Sequence, residues 1–209
     1  MPAGGCTIVS LFKHTKMKKL LLCLLLFTGL AAYSQTSAVS VTQISNAKTA
    51  FGKDMVEIMQ HQKSYTLEIA ELMPEDKYNY KPTEGVRTFS EHFKHISIIM
   101  NKQTNFFLKN IPIEVQSFVN DLQEYEKKSL SKKEIITQLT KEFDDAIKRF
   151  ESITDAELNI RYELPFPGNP GASLRTWCMG LRDHITHQRG QAIIYLRMNG
   201  IKAPQYFPF

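Results

Sequence analysis

The sequence predicts an all-α protein, a four-helix bundle. Three observations predict it. Four segments repeat apolar residues at helical spacing, two of them open on a capping box, and no segment shows the apolar–polar alternation of a half-buried strand.

The first predicted helix runs from about Ser45 to Met73. Phe51, Met55, Ile58, Tyr65, Ile69 and Leu72 fall at threes, fours and one seven, and Pro74 stops it. The second opens at Thr88-Phe89-Ser90-Glu91, where the Thr hydroxyl and the Glu carboxylate each satisfy an orphan amide of the other. It continues through Phe93, Ile96, Met100, Gln103 and Phe107 to about Asn110, before Pro112. The third opens on a second box, Ser131-Lys132-Lys133-Glu134, with the stripe Ile136, Leu139, Phe143, Ile147 and Phe150. The fourth runs from about Ser173 to Asn199, with Gly200 placed as its stop and Pro204 beyond. The 1–2 link with Tyr80-Lys81-Pro82 is compact. The 2–3 link, residues 111–130, is long enough to cross the bundle or to hold a short helix. The 3–4 link, Tyr162 to Gly171, is rich in Pro and Gly and reads as irregular.

Residues 1–34 read as an upstream extension and a signal peptide. Met17-Lys18-Lys19 is a positive n-region, Leu20 to Leu30 is an apolar run of 11 residues, and Ala32-Tyr33-Ser34 is a small-x-small cleavage signal before Gln35. The apolar run is too short to span a bilayer unaided, although an uncleaved anchor is the competing reading. The expectation is an exported protein, periplasmic or secreted, with residues 35–209 as a single domain and no membrane association after cleavage. Four of the 26 basic residues and none of the 21 acidic ones lie in residues 1–34, so the rest is close to neutral. The sequence pI of about 9.0 therefore belongs largely to the leader, and nucleic acid is not an expected partner. Lys127-Lys128 and Lys132-Lys133 read as solvated helix ends. Only Cys178 remains after cleavage, so no intramolecular disulfide forms and the core must carry the stability.

The most informative stretch is Asp183-His184-Ile185-Thr186-His187-Gln188-Arg189-Gly190-Gln191, followed by the apolar Ala192 to Leu196. Residues three and four apart share a helix face, so imidazoles at this spacing can converge on one ion. His184 shares a stripe with Leu181, Gln188 and Tyr195 that should face the interior. Cys178, beside Trp177, reads as buried and inert. Met55, Met59, Met73 and Met100 read as core filler. Gly190, mid-helix, reads as a point of close helix approach. Arg189 is suited to orienting an anion or to pinning Asp183, with a structural role expected. The tail Tyr206-Phe207-Pro208-Phe209 is expected to pack on the bundle end.

Three stretches resemble the DinB-like family of metal-binding four-helix bundles, over nearly the full length after the leader. They are Met73-Pro74-Glu75-Asp76-Lys77-Tyr78 with Tyr80-Lys81-Pro82, then Thr88 to Ile96, and above all Asp183-His184 through Arg189-Gly190-Gln191 with Tyr195-Leu196-Arg197. The resemblance implies an up-down-down-up order that uses the 2–3 link as its crossover. It also implies a divalent metal held by one His of helix 2 and two of helix 4, and, in some relatives, transfer or isomerisation chemistry on small thiols. His95 matches the helix 2 ligand and His184 the first of helix 4. The family's second helix 4 position holds Gln188 here, with His187 one residue earlier. The expected metal set is therefore His95, His184 and Gln188, with His187 as substitute, and zinc as the default ion, nickel or iron being alternatives. His92, one turn before His95, reads as a surface or supporting residue. The two functions that follow are a metal-dependent transferase or hydrolase acting on a small molecule, and a non-catalytic bundle with a weak or vestigial site that binds a ligand or partner. No catalytic base is assigned, and self-association into a homodimer is left open.

Overall fold

Thr49 starts the first long helix by accepting a hydrogen bond from Gly52 N at 2.9 Å, the side-chain cap that a helix N-terminus needs for its unpaired amides. The computed structural model describes residues 47–109, 115–162 and 171–206. Helix α1 is Ala50–Leu72, and a single 3₁₀ turn, Glu75–Lys77, follows it. Helix α2 is Phe89–Lys109, α3 is Val115–Lys127, α4 is Lys132–Ser152 and α5 is the short Asp155–Leu158. Strands β1, Arg161–Tyr162, and β2, Ala172–Ser173, pair antiparallel, and α6, Leu174–Met198, follows directly.

Both expected capping boxes form. Glu91 accepts from Thr88 N at 2.7 Å while Thr88 Oγ1 accepts from Glu91 N at 3.2 Å, and Ser131 and Glu134 repeat the arrangement. Gly200 takes φ 74°, the left-handed turn that ends α6. The 2–3 link does hold a helix, α3. The expectation of no strands gives way to one ladder of two residue pairs, Arg161 with Ser173 and Tyr162 with Ala172. Two-residue strands are too short to show a period, so sequence pattern does not register them. The leader, residues 1–34, the loop residues 163–170 and the tail residues 207–209 lie outside the described residues, as do Asn110, Pro112 and the Phe107 side chain.

Helices α1 and α2 share the same two principal neighbours, α4 and α6, and so sit across the bundle from each other. Lys48 N meets Glu151 O at one end of α1, and Lys132 Nζ meets Glu71 O and Met73 O at the other, so α1 and α4 run antiparallel. Arg175 lies over Phe51 and Arg189 reaches Gln62 and Thr66, so α1 and α6 run the same way. Helix α3 packs on α2.

Met55, Met59, Ile69, Met73, Phe89, Phe93, Ile96, Met100, Leu139 and Phe143 are fully buried between the helices. Each such side chain contributes about 1.5–3 kcal/mol relative to exposure. The four methionines expected in the core are all there. Leu72, placed on the interior stripe of the first helix, is instead exposed, and Met73 takes the core position. Lys132 is not a solvated end: it bonds the carbonyls that close α1 and lies over the Tyr78 ring. Gly190 is a further correction. A methyl group built on it meets nothing within 4 Å, because it faces open space. The close approach lies elsewhere, at Gly52, where a Cβ would come within 2.6 Å of Phe150 O on α4.

Candidate functional site

Helices α2 and α6 cross with their histidines at the same level. On α2, Phe89, Phe93, Ile96 and Met100 are fully buried in the core. His92 and His95, three residues apart, fall on one neighbouring face, as helical spacing requires. On α6, Ile185, Gln188, Arg189, Ala192, Tyr195 and Leu196 are buried, and His184 is half-buried. Tyr195 Oη donates to Arg87 O at 2.9 Å and so ties α6 to the approach of α2.

The His95 and His184 rings lie 4.9 Å apart, centre to centre, tilted by 44°. His184 Nε2 is buried and has no hydrogen-bond partner. Burial, reinforced by the nearby His95, His187 and Arg87, pushes the His184 pKa down to about 4, so the ring is neutral near pH 7. His95 Nδ1 bonds Glu126 Oε1 at 2.5 Å. Glu126 comes from α3, and Arg87 Nε also reaches its carboxylate, at 3.3 Å to each oxygen. Burial alone would raise Glu126, but the bonds from His95 and Arg87 outweigh it and hold the carboxyl below its ordinary value.

Gln188 is buried, as expected, but its amide oxygen is turned to His92 Nδ1, at 2.8 Å. His92 is 1% exposed, packs edge-on to Tyr195 with ring centres 5.2 Å apart, and leaves its Nε2 buried without a partner. Burial lowers its pKa, against the bond from Gln188. It is a buried member of the cluster and not a surface residue. His187 is exposed and pairs with Gln191 at 2.8 Å on its own helix. The structure thus brings His95 and His184 together, sets Gln188 against His92, and leaves His187 outside. Among the described residues no three His, Cys, Asp or Glu side chains converge as a metal-binding group.

Arg189 is 2% exposed and does not pin Asp183, which pairs with Arg182 on the surface. It donates to Gln62 and, at 3.3 Å, to Thr66, and it lies 4.7 Å over the Tyr65 ring. Its role is to clamp α6 to α1. Cys178 is buried, and burial pushes its thiol up to about 12, so it is no nucleophile near neutral pH. Glu91 is spent on the α2 cap. Tyr206 rests tilted on Tyr65 with ring centres 5.8 Å apart. An open cleft of about 530 Å³ adjoins the cluster, bounded by Arg87, Glu91, His92, Glu126 and Gln191 among others. Sequence reasoning missed Glu126 altogether. The one available signal was that the long 2–3 link had room for a helix.

Fold and site together define a helical bundle with an interhelical histidine cluster. The sequence matches the DinB superfamily over residues 59–192, and the chain belongs to that family. Two solved structures share the fold. A DinB-like protein from Bacillus subtilis is 20% identical, with a TM-score of 0.57, over 73% of this chain and 97% of that one. A DinB-like protein from Bacillus cereus is 15% identical, with a TM-score of 0.56, over 73% of this chain and 95% of that one. No curated protein matches the sequence.

Proposed function

We propose that this chain is an exported, metal-dependent DinB-like protein that acts on a small molecule, with His95 and His184 as the core of its metal site. The observation that carries the reading is the buried, partnerless Nε2 of His184, beside the His95 ring at 4.9 Å. A neutral imidazole is the form a divalent cation binds, and burial keeps His184 neutral. Zinc is the default ion for two imidazoles, with nickel or iron as alternatives. Gln188, whose amide oxygen serves His92, is the third protein group only through its second lone pair, which makes the set weak. A bound divalent metal lowers the pKa of a water or thiol that joins it and so supplies a nucleophile for transfer or hydrolysis. The chain's own residues bind and orient: Glu126 holds His95, Gln188 holds His92, and the cleft beside them gives a small substrate room.

A second reading, a non-catalytic binding bundle, is favoured by the same Gln188 bond and by the lack of a converging three-group set among the described residues. Zinc titration of the protein lacking residues 1–34 tests both. One equivalent should bind, His184→Ala should abolish binding, and Gln188→His should tighten it by on the order of tenfold or more. Stoichiometric zinc that survives His184→Ala sinks the site. A wild type that takes up none, with a Gln188→His that binds tightly, supports the binding-module reading. Export rests on the leader pattern alone. N-terminal sequencing of the exported protein should begin at or near Gln35, and full-length protein held in the cytoplasm would defeat the proposal.

A further inference from the structure

We infer that Glu126, carried by α3, is the positioning residue of His95: it holds the ring proton on Nδ1 and leaves Nε2 as a bare donor beside His184. This inference rests on the proposed metal site only for its consequence, not for its geometry.

The carboxylate is fixed from several directions. Arg87 Nε reaches both oxygens at 3.3 Å, and His95 Nδ1 meets Oε1 at 2.5 Å. Lys94, the residue before His95, is buried and donates through Nζ to the backbone carbonyl of Glu126 and, at 2.9 Å, to that of Lys128. The first carbonyl belongs to the last turn of α3 and the second lies just past its end, so a cation there is well placed. Lys102 pairs with Asp121 further along the same two helices. Helix α3 is therefore locked to α2 on both sides of His95, with the Glu126 carboxylate held against that ring.

A simple ion-pair reading of Glu126 does not account for the bond to His95, because Arg87 already supplies a countercharge. What the bond does is chemical. An ionised carboxylate is acceptor only, so Nδ1 must donate, and a neutral ring in that bond carries its lone pair on Nε2. A carboxylate on the far nitrogen also makes imidazole a better donor and fixes its plane.

Nitrogen-15 NMR of the histidine rings, at mildly alkaline pH and without metal, reads this directly. Wild-type His95 should be the Nδ1–H form. Glu126→Ala should move it towards a mixture rich in Nε2–H, while Glu126→Gln, whose amide oxygen still accepts, should keep Nδ1–H. Asp121→Ala loosens α3 without touching His95 and should leave the tautomer alone. Zinc affinity should fall about 10–100-fold in Glu126→Ala and by little in Asp121→Ala. An Nε2–H ring in wild type, or a tautomer indifferent to Glu126→Ala, overturns the inference. So does an Asp121→Ala variant that shifts the tautomer as much, since Glu126 would then act only through docking of α3. If the tautomer responds as expected but wild type takes up no zinc, the positioning role stands and the metal reading falls.

Discussion

His184 is held neutral by its surroundings, and that has a cost that appears with acid. Its ordinary value near 6.5 drops to about 4 in the folded chain, chiefly through burial. Between those two values the unfolded chain takes up a proton that the folded chain refuses. Stability is therefore intact above about 6.5 and is lost as the pH falls through that window, and the loss levels off below about 4. Because the ring is only half-buried, solvent screening cuts the effect to on the order of 1 kcal/mol. Burial lowers His92 as well, which adds to the loss in the same direction. Urea midpoints compared at neutral pH and near pH 4.5 should show the decline, and His184→Gln should flatten it. A wild type with equal midpoints at both values would contradict the account.

Two of the three glycines in the long helices, Gly52 of α1 and Gly190 of α6, have opposite meanings. In α6, Gly190 faces open space, so Gly190→Ala adds only helix propensity and should raise stability by about 0.5–1 kcal/mol. In α1, Gly52 lies against the backbone of α4, where a methyl group would press on Phe150 O. A carbonyl held in a helix cannot rotate away, so Gly52→Ala should lower stability by about 1–3 kcal/mol. Chemical denaturation of both variants checks the pair, and a stabilised Gly52→Ala or a destabilised Gly190→Ala would reject it. The same scale explains Arg189. Its fork is taken up by Gln62 and Thr66 on α1, so a signature residue next to the site acts as a helix-to-helix clamp.

At the scale of the whole molecule, the site is a product of where four elements meet. Helix α2 supplies His92 and His95, α6 supplies His184 and Gln188, α3 supplies Glu126, and the approach to α2 supplies Arg87. The hydrophobic core beside it is built chiefly of Phe, Met, Ile and Leu. Among the described residues no helix is long and apolar enough to cross a membrane. The polar cluster is placed at one seam of that packing, beside the open cleft.

The four long helices were legible in the sequence, because period, capping boxes and Pro or Gly stops are local signals. Thr88 with Glu91, Ser131 with Glu134 and Gly200 each act within a few residues of themselves. That His184, Gln188 and Tyr195 share a face was legible too, since 3.6 residues per turn fixes the face of every residue on a helix. What each face meets depends on how the helices pack. Gln188 and His92 are 96 residues apart, and His95 and Glu126 are 31 apart. No periodicity encodes such a meeting. Gly190 and Gly52 look alike in sequence, and only the presence of a neighbouring backbone separates them. Glu126 was invisible for the same reason: an acid in a long link reads as solvated until the packing of α3 on α2 takes it out of water and gives it His95.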